Sequence, residues 1–221
     1  MTTFFITGTD TGCGKTYVTR LLIHYFRSLH FRCVGLKPIA SGCEWLQEQW
    51  VNEDVQILMG ANQSNMSINQ WLFNQPIAPH LAAQAEGITI NAKDIHAFLN
   101  QSQYQTFQLR LIEGAGGLMV PLNESETWID VVKYSQLPMI IVVAIRLGCI
   151  NHTLLLNEVI HKYQLPVAGW IANKVDPQMS HVEDNIQAIQ SRINIPLIAT
   201  VNHHSKQIDV TRMMEKVVSL I

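Results

Sequence analysis

The chain has 221 residues, 48% of them hydrophobic and 14% charged, with a formal net charge of −2. These values fit an ordinary globular chain and exclude an intrinsically disordered one. They supply no basic field for nucleic acid and no polybasic patch for a membrane, so neither partner is expected.

Residues 3–7 are short, apolar and β-prone, and the spacing predicts a buried strand. GTDTGCGKT follows at 8–16. The usual phosphate-binding pattern is G-x-x-x-x-G-K-[ST], but here five residues separate Gly8 from Gly14. Counting back from Lys15, the place of the first glycine falls on Thr9. The physics of an anion site survives the extra residue. Backbone N–H groups and a helix N-terminus still face one point, provided Gly12 and Gly14 supply the necessary φ angles. Lys15 then reaches phosphates and the Thr16 hydroxyl reaches Mg²⁺. Asp10 is the odd member, because a carboxylate repels phosphate unless it turns away.

Helical spacing follows over 16–29, then a strand over 33–37 closed by Pro38. Lys37 stands at that strand's tip, in GLKPIASG, with Ser41 close behind. It reads either as the strand's exit to water or as a second cation on a transferring phosphoryl group. Asp54, in VNEDVQIL, reads as a surface residue, a helix cap or a metal ligand.

Helical patterns at 80–86 and 92–100 precede NQSQYQ at 100–105, which reads as a polar loop. The strand at 109–112 ends on Glu113, a position suited to an acidic group for Mg²⁺. Gly114, Ala115 and Gly116 then permit close backbone approach to a ligand. Further helices are expected at 128–134, 151–163, 182–193 and 209–220, and further strands at 139–145, 167–172 and 196–201. GWIANKVD (169–176) contains Asn173-Lys174-Val175-Asp176, which fits the N-K-x-D signature of guanine readers. The Asn173 amide can equally serve adenine as donor and acceptor.

Apolar strands alternating with helices predict an α/β fold: a P-loop NTPase-like, mostly parallel sheet with helices on both faces, as a single domain over 1–221. Ligands then bind at the carboxyl ends of the strands. The four cysteines form no C-x-x-C pair and read as reduced thiols. His203-His204 is not expected to hold a metal, because neighbouring side chains rarely converge. The N-terminus has no basic n-region, and the apolar run at 137–145 is far too short for a bilayer, so a cytoplasmic location is expected.

Taken together, GTDTGCGKT, LKPIASG, APHLAA (78–83), EGAGG followed by LMVPL, LGCINHTLLL (147–156) and GWIAN closely resemble the dethiobiotin synthetase family, ATP-dependent enzymes of biotin biosynthesis. The lengthened loop is that family's usual loop. The resemblance implies a homodimeric ligase with active sites at its interface. It takes 7,8-diaminopelargonic acid, CO₂ (or bicarbonate) and ATP, with Mg²⁺. Lys15 and the amides of Gly12, Cys13, Gly14, Thr16 and Tyr17 would hold the phosphates. Gly114, Ala115 and Gly116 would lie against the nucleotide, and Asn173 and Lys174 would serve its base. Thr16, Asp54 and Glu113 would hold Mg²⁺. Lys37 would be the catalytic lysine, assisted by Lys15 and Thr11. Thr11 and Ser41 would touch the diamine or its carbamate. The substrate's tail carboxylate would bind across the dimer at Gly148, Cys149, Ile150 and Asn151. Two departures stand out. Gly12 replaces an acidic residue of some members, and 199–204 lacks the family's Gly-x-[IL]-Pro turn on the adenine side.

Overall fold

The computed structural model describes residues 1–210. In chain order it contains β1 (Thr2–Gly8), α1 (Lys15–Ser28), β2 (Cys33–Leu36), β3 (Ile39–Ser41), β4 (Glu44–Leu46), β5 (Gln49–Val51), α2 (Glu53–Asn62) and β6 (Trp71–Phe73). There follow α3 (Pro79–Ala85), α4 (Ala92–Leu99), β7 (Leu109–Glu113), α5 (Trp128–Ser135), β8 (Met139–Ala144), α6 (Cys149–Tyr163), β9 (Val167–Asn173), α7 (Val182–Gln190) and β10 (Leu197–Val201).

Six strands form one parallel sheet in the order β10-β9-β8-β1-β7-β2. Every residue of β2, β7 and β8 is buried, so both faces of the sheet are covered, as a continuously apolar parallel strand requires. Two small pairs stand apart: β3 with β6 in parallel, and the β4–β5 hairpin. No helix among the described residues is long and apolar enough to cross a membrane.

The register sets the site. Ile6 pairs with Glu113 and Leu36 with Ile112. The chain therefore leaves β1, β2 and β7 at one end of the sheet. The glycine loop, Lys37 and Glu113 meet there, with β7 between the other two strands.

Each strand expected in the main sheet is present within two residues of its bounds. Most of the helix expected at 209–220 lies outside the described residues. NQSQYQ is not a plain polar loop. Ser102–Tyr104 forms a 3₁₀ turn that buries Tyr104 completely against Phe98.

Candidate active site at the carboxyl edge of the sheet

Gly12 and Gly14 have φ of 73° and 88°, in the left-handed region that favours glycine. Gly14 caps α1 without a side-chain hydrogen bond. Within the described residues, the N–H groups of Gly12, Cys13 and Gly14 have no partner. With the first-turn amides of α1 they form a concave row of donors suited to phosphate. The Lys15 ammonium reaches back to the Asp10 carbonyl at 3.1 Å.

Thr11, Gly12, Gly14, Lys15, Thr16, Tyr17, Lys37, Ser41, Asp54, Glu113, Ala115 and Gly116 all border one cavity of about 700 Å³. At its floor Glu113 is fully buried. Its Oε1 accepts from the Thr16 hydroxyl and from Lys37 Nζ, both at 2.6 Å. Lys37 Nζ also donates to Asp54 Oδ2 at 2.5 Å. Lys37 is only 5% exposed, so its reading as a strand's exit to water does not hold. Burial alone would lower its pKa, but the charges and hydrogen bonds of Glu113 and Asp54 more than offset this, and the ammonium is held above its ordinary value. Burial likewise raises the Asp54 pKa. Lys37, the Thr16 hydroxyl and Lys15 reverse that, leaving the carboxyl below its ordinary value.

Among the described residues, Glu113 Oε2 and Ser41 Oγ are buried in this cavity without a hydrogen-bond partner. With the Thr16 hydroxyl and the Asp54 carboxylate, Glu113 Oε2 completes a set of hard oxygen donors that fits Mg²⁺. Asp54 is carried by α2, a helix not expected from the sequence. Asn52 caps it, accepting from Val55 N–H at 3.2 Å, and its amide donates to the Ser41 carbonyl at 3.1 Å. That one side chain ties the acidic turn to β3. The signal was present in the sequence, as an Asn followed directly by two acidic residues.

The other expected residues are not among those that border the cavity. The Cys13 side chain is fully buried beneath the loop, and a Cβ on Gly8 would sit 2.2 Å from its sulfur. Gly114 is closed against the Phe5 ring, which a Cβ there would meet at 2.7 Å. Asn173 is buried, and its amide donates to the Cys13 carbonyl, so it braces the loop. Lys174 pairs with Glu183 at 2.6 Å. Gly148, Cys149, Ile150 and Asn151 begin α6 and do not border this cavity. Cys149 N–H already donates to the Arg146 carbonyl at 3.0 Å, leaving Ile150 and Asn151 as the amides there for an anion. The carboxylate of Asp10 turns toward Arg146, a residue that sequence reasoning did not single out.

A family model described as an AAA domain matches residues 2–210. An ATP-dependent dethiobiotin synthetase BioD from Legionella pneumophila strain Philadelphia 1 is 43% identical over 211 residues, spanning 95% of this chain and 98% of the relative. Another, from Aromatoleum aromaticum, is 39% identical over 203 residues, spanning 90% of each chain. Among solved structures, the GDP complex of the signal recognition particle 54 kDa protein from Aeropyrum pernix K1 superposes with a TM-score of 0.61 at 12% identity, covering 99% of this chain and 49% of that one. The septum site-determining protein MinD from Pyrococcus horikoshii, complexed with Mg-ADP, gives 0.57 at 15% identity, covering 90% and 81%. These two likenesses carry the fold alone. The extent and identity of the curated matches carry more, and the chain belongs to the ATP-dependent dethiobiotin synthetase family.

Proposed function

We propose that this chain, acting as one P-loop domain, makes dethiobiotin from 7,8-diaminopelargonic acid, CO₂ and ATP, releasing ADP and phosphate. The observation that carries the reading is the convergence of Thr16 and Lys37 on one oxygen of a buried Glu113, directly under the glycine loop. As a biosynthetic enzyme drawing on cellular ATP, it acts in the cytoplasm.

CO₂ adds to one amine of the substrate as a carbamate. The γ-phosphoryl group passes to a carbamate oxygen, giving a mixed carbamic–phosphoric anhydride and ADP. The second amine attacks the carbamate carbon, closes the cyclic urea and expels phosphate. Such transfer is mainly positioning and charge neutralisation. The loop amides and Lys15 hold the nucleotide phosphates, and Ala115 and Gly116 border them. Lys37 steadies the carbamate and the charge that develops on the transferred group. Thr11 and the unpartnered Ser41 hydroxyl orient the diamine. Thr16, Asp54 and Glu113 would hold Mg²⁺, which when bound supplies positive charge to the phosphate oxygens.

The working unit on this reading is a homodimer. Leu147 is 96% exposed, and Leu155 and Met119 are more than half exposed around the start of α6. Leu155 and Met119 border one surface cavity, and exposed apolar residues of this kind suit a protein interface better than water. A second copy seated there would bring the Ile150 and Asn151 amides to the partner's cavity, as an anchor for the substrate's carboxylate.

The test is a product assay with the diamine, bicarbonate and ATP. Dethiobiotin formation supports the reading. Nucleotide hydrolysis without ring-closed urea would assign the chain to hydrolysis-driven switching instead.

A further inference from the structure

Asp10 is the only acidic residue in the glycine loop. Its carboxylate is held twice. Oδ1 accepts the N–H of Thr11 at 2.7 Å, and Oδ2 accepts from Arg146 Nη2 at 3.0 Å. Its backbone carbonyl takes the Lys15 ammonium. Asp10 is therefore a joint through which the loop's shape, its lysine and its one negative charge are connected. Arg146 is delivered to this joint by the sheet. It follows β8, which runs beside β1 with Gly8 opposite Val142, and Thr9 N–H donates to the Val142 carbonyl. Arg146 does not border the catalytic cavity.

The pair is placed poorly for stability. Its side chains are 41% and 49% exposed, and such ion pairs contribute little to folding. It is placed well for electrostatics. A loop that must take up a polyanion carries a carboxylate of its own, and an opposite charge at 3.0 Å cancels its field there.

We propose that Arg146 is a positioning residue for the nucleotide: it neutralises Asp10 and holds it turned back, so that the loop accepts phosphate, resting on the reading of this loop as the phosphate site. Arg146 touches no substrate and acts only through Asp10. Without it, the carboxylate is uncompensated and free to swing toward the bound phosphates. Removing the charge from Asp10 then repairs the loop, because an Asn Oδ1 still accepts from Thr11 N–H.

The test is direct calorimetry of Mg-ATP and ADP binding, without diamine, to wild type, Arg146→Gln, Arg146→Lys, Asp10→Asn and the double variant. Arg146→Gln is expected to bind about tenfold more weakly at low salt, and the defect shrinks as salt screens the repulsion. Arg146→Lys, which keeps the charge, stays within about threefold of wild type. The double variant returns to within about threefold of Asp10→Asn alone. In the product assay, Arg146→Gln raises KM for ATP while kcat changes by less than about twofold. Equal affinities of Arg146→Gln and wild type overturn the proposal. So does a double variant as weak as Arg146→Gln, which would make the pair a structural clasp. A wild type that binds no nucleotide removes the phosphate-site reading itself, before any variant is compared.

Discussion

Asn173, the last residue of β9, donates its amide hydrogen to the carbonyl of Cys13, 2.9 Å away and 160 residues earlier in the chain. The side chain is buried, and it lies directly under the glycine loop. A Cβ on Gly14 would fall 2.2 Å from the same amide nitrogen. The phosphate loop is thus shaped by its own glycines from within and by a distant strand from below.

Gly14→Ala is therefore expected to abolish nucleotide binding. The new methyl meets Asn173, and φ of 88° is strained for any residue with a Cβ. Gly12→Ala is milder. Its φ of 73° carries the strain, but nothing lies within 4 Å of the added carbon. The cost is about 1–2 kcal/mol, or about a fivefold to thirtyfold loss of affinity. Asn173→Leu leaves the Cys13 carbonyl unpaired and costs about 1–3 kcal/mol of stability. Calorimetric titration with ADP and thermal melts separate the three outcomes.

Lys37 and Glu113 are nearly and fully buried, with 2.6 Å between their charged atoms. Lys37→Ala is expected to slow product formation by at least about 10²–10³-fold, the usual loss when a preorganised charge is removed from a transferring group. It also strands Glu113 without its cation. Breaking a buried pair from one side costs about 3–5 kcal/mol. Nucleotide binding is largely retained, because the loop amides and Lys15 are untouched. A Lys37→Ala enzyme that makes dethiobiotin at near wild-type rate would contradict the assigned role.

Asp54 gives the site a pH signature. Its carboxyl is held below the ordinary value of 3.8, after Lys37, Thr16 and Lys15 overcome the effect of burial. A depressed carboxyl adds stability that is fully present above its unfolded value and is lost as pH falls through the folded one. The stability difference between wild type and Asp54→Asn should therefore be flat from neutral pH down to about 5, and should vanish only below 3.8. Urea unfolding at a series of pH values measures it. A difference that disappears near neutrality would show that Asp54 is not held by this cluster.

The main sheet was legible because its strands are short, largely apolar runs, most of them ending near a glycine, a proline or a charge. Val142 and Trp170 could go nowhere but inside. Glu113 and Lys37 were legible for the same reason, as polar residues at the exits of apolar strands. The missed elements lack such contrast. α2 reads EDVQILMGAN, with no clear polar face and with Gly60 near its end. The β4–β5 hairpin turns on Gln47-Glu48, both at positive φ, where an Asn-Gly pair would have announced it. The brace from Asn173 and the ion pair of Arg146 with Asp10 join residues far apart in the chain. No local pattern encodes either contact.

The exposed leucines give a prediction about assembly. Leu147→Glu places a charge where a second copy is proposed to sit. The variant is expected to sediment as a folded monomer, since Leu147 is 96% exposed in the single chain and supports no packing within it. Product formation should fall with dimer content if the substrate's carboxylate is held by the partner. A wild-type monomer, or a fully active monomeric variant, would remove the interface from the mechanism.

The last prediction concerns the base. Asn173-Lys174-Val175-Asp176 fits a guanine-reading pattern, yet its side chains are committed elsewhere. Asn173 holds Cys13, Lys174 pairs with Glu183, and Asp176 Oδ1 accepts the N–H of Gln178 at 2.9 Å as a turn contact. The Tyr17 hydroxyl donates to the Ser205 carbonyl, tying the first turn of α1 to the loop that follows β10. Base selectivity should then depend on Tyr17 and that loop, and not on Asp176. Asp176→Ala is expected to leave the ratio of kcat/KM for ATP over GTP within about threefold of wild type, whereas removal of a guanine-reading carboxylate would change it by far more. Tyr17→Phe, which frees the Ser205 loop, should raise KM for ATP with less effect on kcat. A large loss of GTP use in Asp176→Ala alone would restore the guanine reading of this strand end.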